Sequence, residues 1–274
     1  MLKVQFSTSS EHIEDLKQDF KNVKNNFGLP CEITPNFTSY VTPQNPMGPA
    51  VTFYEEKQVK QGFPEIEVHS SYYDLPEPEL TLLHEIIHAC QRSGSLKFVN
   101  KEYLINLLNR LTILKNQTSD PDNYEFLINQ KLAAIYLYST WVFEIWDEMY
   151  LKTKHSDLYV QKLDQLYDLI SSGLNTVIDG YGKWKKYILL FEFVRAKYLH
   201  KILQETRIES KFEKLCDEWE LRLKDCVDKD EFQRLMSKVD GLTNIDAYDL
   251  DDPKSLKNSY EEMIQEMLDN LREL

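Results

Sequence analysis

The sequence predicts an α+β fold: an N-terminal half with a small sheet and two helices, then a mainly α-helical C-terminal half. Three observations carry that expectation. Before residue 100, short β-like runs alternate with turn residues. After it, apolar residues recur at helical spacing with few interruptions. A chain of 274 residues, 42% hydrophobic and 28% charged, is also long enough to bury a sizeable core. The expected division is residues 1–98 and 99–274, the second closing a cleft against the first.

The elements follow in order. LKVQF (2–6) reads as a strand. SSEHIEDLKQDFKNVKNNFG reads as a helix, with Ser9 or Ser10 as N-cap, Ile13, Leu16, Phe20 and Val23 on one face, and Gly28 as the stop. CEITPNF, AVTFYEE (50–56) and PEIEVHS (64–70) read as strands, two of them separated by the loop TPQNPMGPA. PEPELTLLHEIIHACQRSG is a helix with Pro78 in its first turn and Gly94 at its end.

Beyond residue 100, KEYLINLLNRLTILK and SDPDNYEFLINQKLAAIYLYSTWVFEIWDEMYLKTK are helical, the second opened by Ser119 or Asp122 with Pro121. HSDLYVQKLDQLYDLISSGL, GKWKKYILLFEFVRAKYLHKILQ, ESKFEKLCDEWELRLKDC, DKDEFQRLMSKV and SLKNSYEEMIQEMLDNLREL continue the pattern. VDGLTNIDAYDLDDP resembles a calcium loop in composition but lacks its register, so it reads as a solvated linker.

Bulk properties exclude some functions. A formal net charge of −13 makes nucleic acid and anionic membranes poor partners, since both call for clustered Lys and Arg. The N-terminal stretch has no apolar core of signal-peptide length, and YILLFEFV is far too short to span a bilayer. Cys31, Cys90, Cys216 and Cys226 form no compact framework, so reduced thiols and a cytoplasmic location are expected. The sequons at Asn36 and Asn116 are then chance matches.

The chemistry concentrates in TLLHEIIHAC, where His84, Glu85 and His88 spell H-E-x-x-H. On a helix, positions i and i+4 share a face, so both imidazoles can address one ion. Zn²⁺ accepts neutral imidazole, and a catalytic site leaves one position open for water. Glu85 lies beside that position and takes the water's proton as general base. A third protein ligand is expected. Glu144, in WVFEIWDE, is the candidate, because a carboxylate among Trp141, Val142, Phe143, Ile145 and Trp146 is costly to bury unless paired or bound to metal.

Asp147, Glu148 and Glu192 are rival ligands. Arg195, three residues after Glu192, gives that acid an ordinary ion-pair role. Glu148, one turn beyond Glu144, is placed to hold a ligand imidazole through its second nitrogen. His69 reads as structural or as a cleft-edge residue. Cys90 points about 200° away from His88 around the helix and reads as a core thiol.

With His84-Glu85-Ile86-Ile87-His88 and Glu144-Ile145-Trp146-Asp147-Glu148, the chain resembles the zincin metallopeptidases, and among them the gluzincins. In that group a glutamate from a later helix completes the zinc site and an aspartate four residues on orients a histidine; here a glutamate stands in the aspartate's place. The resemblance spans roughly residues 50–150. It implies a zincin-like N-terminal half with a small mixed sheet whose edge strand pairs with an extended substrate, and EIEVHSS is the strand expected there. It also implies an oxyanion-stabilising His, Tyr or Arg, for which Tyr150, His155, Arg195 and His200 are of the right type.

The expected function is therefore zinc-dependent hydrolysis of a peptide or protein substrate, with His84, His88 and Glu144 on Zn²⁺ and Glu85 as base. The competing readings are an inactive zincin-like scaffold with a structural metal, and a metal hydrolase of non-peptide substrates.

Overall fold

The computed structural model describes residues 3–7, 13–37, 50–53, 65–92, 144–178, 185–247 and 250. The expected helices at 101–115 and 255–274, the caps Ser9 and Ser10, the loop at 42–49, Gly94 and residues 119–143 lie outside them. The chain divides into two compact units, Met1–Ile113 and Leu114–Leu274.

Among the described residues the first unit holds four strands, β1 (Lys3–Ser7), β2 (Thr34–Phe37), β3 (Ala50–Phe53) and β4 (Glu65–Val68), in the order β2-β1-β4-β3. β1 runs parallel to both β2 and β4, with Val4 opposite Pro35 and Phe6 opposite Ile66. β3 is antiparallel to β4, with Val51 opposite Glu67. Pro35, which has no N–H to give a ladder, lies on the outer strand β2, where such a loss is tolerated. The sequence-based choice of EIEVHSS as the edge strand is thus corrected. β4 carries a neighbour on each side, and the edge beyond it belongs to β3. The alternation of β4, with Ile66 and Val68 buried and Glu65 and Glu67 part-exposed, fits an inner strand covered on one face as well as an edge strand.

Helix α1 (Ile13–Asn26) connects β1 to β2 and buries Leu16, Phe20 and Val23 along one stripe. Its charges suit the helix dipole, Glu14 and Asp15 in the first turn and Lys24 in the last. The chain leaves it through Gly28 at φ +75, a conformation that favours glycine.

A 3₁₀ turn, Ser70–Asp74, leads from β4 to helix α2 (Pro78–Arg92), which starts at the proline expected in its first turn. α2 packs on α1, β3 and β4. It is buried nearly all round: Leu80, Leu82, Leu83, Ile86, Ile87, Ala89 and Cys90 are fully enclosed. Any polar side chain on such a helix needs a partner.

Cys90 has one that the sequence did not reveal. Its sulfur is bonded to Cys31, with Cα atoms 6.2 Å apart, so the expectation of four reduced thiols is corrected. Two cysteines that lie 59 residues apart in sequence carry no spacing signal, and their meeting depends on how α2 packs against the segment entering β2. Cys216 and Cys226 are free thiols, and burial pushes Cys216 up to about 11.

The second unit is helical: α3 (residues 144–154), α4 (Ser156–Ile178), α5 (Lys185–Ile202), α6 (Glu209–Lys224) and α7 (Lys229–Leu242). α5 packs most extensively on α6, whose stripe of Phe212, Leu215, Cys216, Trp219 and Leu223 is buried. α7 begins at Asp228, whose Oδ1 accepts from the Glu231 backbone N–H at 2.8 Å.

The start of VDGLTNIDAYDLDDP is no solvated linker. Val239 and Thr243 are buried, and Lys201 Nζ donates to the Thr243 carbonyl at 2.8 Å, tying the end of α7 to α5. Among the described residues, no helix is long and apolar enough to cross a membrane.

Candidate metal centre

The polar residues of α2 fall on one stripe. His84, His88 and Gln91 occupy positions i, i+4 and i+7, and Glu85 adjoins the first. His84 is part-exposed, while Glu85, His88 and Gln91 are buried. On a solvent-facing helix such a stripe would be ordinary. Here it is enclosed on an otherwise apolar helix, so hydrogen bonds or an ion must meet its charges and lone pairs.

The imidazoles converge through their Nε2 atoms, which lie 3.1 Å apart, with the rings nearly perpendicular at 83°. Two nitrogens bound tetrahedrally to zinc at about 2.0–2.1 Å stand about 3.3–3.4 Å apart, so small rotations bring this pair to ligand spacing. One imidazole nitrogen from each histidine and one carboxylate oxygen of Glu144 lie within 4.8 Å of one another. Among the described residues this is the group of His, Cys, Asp and Glu side chains close enough to hold a metal ion. Its donors, two imidazoles and one carboxylate, are those zinc takes.

The rivals of Glu144 have other settings. Asp147 is fully buried on α3, beside Tyr150. Glu192 lies 4.0 Å from Arg195 Nη1, the ion pair its spacing implied, and burial raises its carboxyl above the usual range against that cation. Glu148 neighbours Tyr159, Tyr198 and Arg195. Burial first, then the carboxylates of Glu148 and Glu144, hold the Tyr198 hydroxyl far above the ordinary phenol range.

Of the residues weighed as oxyanion stabilisers, Arg195 shares surroundings with Glu144. Burial works against its charge, yet Tyr198, Glu192, Glu148 and Glu144 together hold the guanidinium above its usual value. Tyr150 stacks on Trp146, with centroids 5.5 Å apart. Burial, then Lys154, lowers His155. His200 Nε2 lies 4.0 Å from Glu209. His69 precedes the 3₁₀ turn, close to Glu67.

One participant escaped the sequence reading. Gln91 Oε1 lies 2.9 Å from His88 Nδ1, both side chains being buried. The available signal was an amide three residues after a ligand-type histidine, on a helix with little other polarity.

No family model matches the chain, and neither a curated protein nor a solved structure matches it. The chemistry of the site therefore rests on its own residues.

Proposed function

We propose that the protein is a zinc-dependent hydrolase of the H-E-x-x-H type, acting on a peptide bond. The observation that carries this reading is the convergence of two imidazoles, their Nε2 atoms facing each other, with the Glu144 carboxylate, next to an enclosed glutamate, Glu85. A purely structural metal site has no use for that fourth side chain.

His84, His88 and Glu144 would hold the ion. When bound, zinc supplies a Lewis acid that brings the pKa of water from about 16 to about 7. Glu85 takes a proton from the attacking water and returns it to the departing nitrogen. Burial limits water around Glu85 and strengthens its interactions with the reacting groups. Arg195 shares its surroundings with Glu144, whose charge is one of those that hold the guanidinium above its usual value. Among the described residues β3 is an outer strand, so an extended substrate would add along β3 and not along the stretch the sequence pointed to.

Metal analysis of the purified protein, with turnover of a peptide library, tests the reading. About one equivalent of zinc is expected, lost in His84→Ala. Glu85→Gln should keep the metal and lose hydrolysis; retained turnover removes Glu85 from the role of base. Glu144→Ala should lose more metal than Glu148→Ala, and the reverse order would hand the third position to Glu148. A wild-type protein that holds zinc yet cleaves no peptide would favour a scaffold or a non-peptide hydrolase.

A further inference from the structure

We infer that Gln91 is a positioning residue for the metal centre, fixing which nitrogen of His88 faces the ion. The inference rests on the zinc reading above but starts from a separate contact, on the side of the imidazole away from His84.

A neutral imidazole carries one N–H and one lone pair, and which nitrogen holds which depends on the hydrogen bond made by either. Gln91 presents its carbonyl oxygen to His88 Nδ1 at 2.9 Å. A carbonyl oxygen only accepts, so Nδ1 holds the hydrogen and Nε2 keeps the lone pair. Nε2 is the atom that faces His84 Nε2 at 3.1 Å, and these two imidazoles are the ones grouped with Glu144.

The opposite tautomer would put a hydrogen where a cation must bind and block the site. Gln91 and His88 are both buried, so bulk water does not compete for Nδ1 as it would on a surface histidine. The i, i+3 spacing on one helix makes the contact local, and α2 carries ligand and support together. Gln91 thereby accounts for an amide on a helix whose other enclosed positions are mostly apolar.

Two measurements test this, one of them on the metal-free protein. Nitrogen NMR of ¹⁵N-histidine-labelled protein, without metal and at a pH where His88 is neutral, should show His88 as the Nδ1–H tautomer. In Gln91→Met, which keeps the volume and removes the acceptor, the Nε2–H tautomer should grow. A wild-type His88 that is mainly Nε2–H overturns the inference, because the amide would then be donating.

Zinc affinity by chelator competition is the second readout. Gln91→Met should bind about 10–100-fold more weakly, the usual cost of losing such a support. Gln91→Glu, which keeps an acceptor at the same place, should recover most of that loss. If Gln91→Glu binds as poorly as Gln91→Met, or Gln91→Met binds like wild type, Gln91 is only a packing residue and the inference falls. Failure of wild-type protein to bind zinc overturns the hydrolase reading instead, and the tautomer result identifies which of the two has failed.

Discussion

Asp19 lies on α1 against the 3₁₀ turn and the start of α2, with Tyr72, Asp15 and Glu79 around it. Burial, reinforced by the charges of Glu79 and Asp15, pushes its carboxyl from 3.8 to about 6. The native state thus holds this proton more tightly than the unfolded chain does. The stabilising contribution is complete below pH 3.8 and is lost as the pH rises through about 6. Asp19→Asn, which stays uncharged, should flatten that segment of the stability–pH curve. At pH 7 it should stabilise the protein by on the order of 1 kcal/mol, reduced from the full linkage value because Asp19 is only part-buried. Urea unfolding at a series of pH values reads this directly, and parallel curves for mutant and wild type would reject it. The sequence could not foretell the shift, because Asp19 lies only one position from the apolar stripe of α1 and meets Tyr72 and Glu79 through folding alone. His84, Glu85 and His88 were legible for the opposite reason: their relation is local to one helix, and the i, i+4 rule places both imidazoles without knowledge of the rest.

Elements show the same divide between local and long-range information. The positions of β1 to β4 and of α1 and α2 follow from alternation, capping and proline placement, all written within a few residues. Strand order is not local, and for that reason the inner strand β4 reads as an edge from sequence alone. Ile66 makes its inner position testable. It is fully buried and pairs with Phe6 on one side and Thr52 on the other, so Ile66→Ala should cost about 2–5 kcal/mol in chemical denaturation. A loss below about 1 kcal/mol would contradict a fully packed site. The disulfide is the second long-range feature. It joins the last turns of α2 to the segment entering β2 across 59 residues, and constraining a loop of that length in the unfolded chain is worth about 4 kcal/mol in the chain-entropy account. Reduction, or Cys31→Ser with Cys90→Ala, should lower the unfolding midpoint accordingly, and peptide mapping without reductant should recover the linked pair. Equal midpoints with and without reductant would refute the contribution. The cytoplasmic expectation drew on reduced thiols as well as on the N-terminal and membrane-span readings, and this bond removes the thiol support.

At the scale of the whole chain, the acidic balance and the candidate site bear on one measurable quantity, the linkage between metal and stability. A formal charge of −13 leaves more carboxylates than cations, and a bound divalent cation offsets part of their repulsion. Glu144, legible as a candidate ligand only because WVFEIWDE surrounds it with apolar residues, meets His84 and His88 through tertiary structure. A ligand that binds the native state and not the unfolded chain stabilises it by about 2.7 kcal/mol when present at about 100 times its dissociation constant. Zinc should therefore raise the thermal midpoint by several degrees, and a chelator should reverse the gain. His84→Ala and Glu144→Ala should each suppress the response, because each removes a donor from the same group. Glu85→Gln should retain it, because Glu85 has no place among the donors. The comparison distinguishes specific binding from general screening, since monovalent salt and magnesium act on the acidic surface without favouring imidazole. Scanning calorimetry with zinc, magnesium and sodium chloride in parallel decides the matter. A zinc response that survives both His84→Ala and Glu144→Ala would place the metal elsewhere on the acidic surface and overturn the proposed centre.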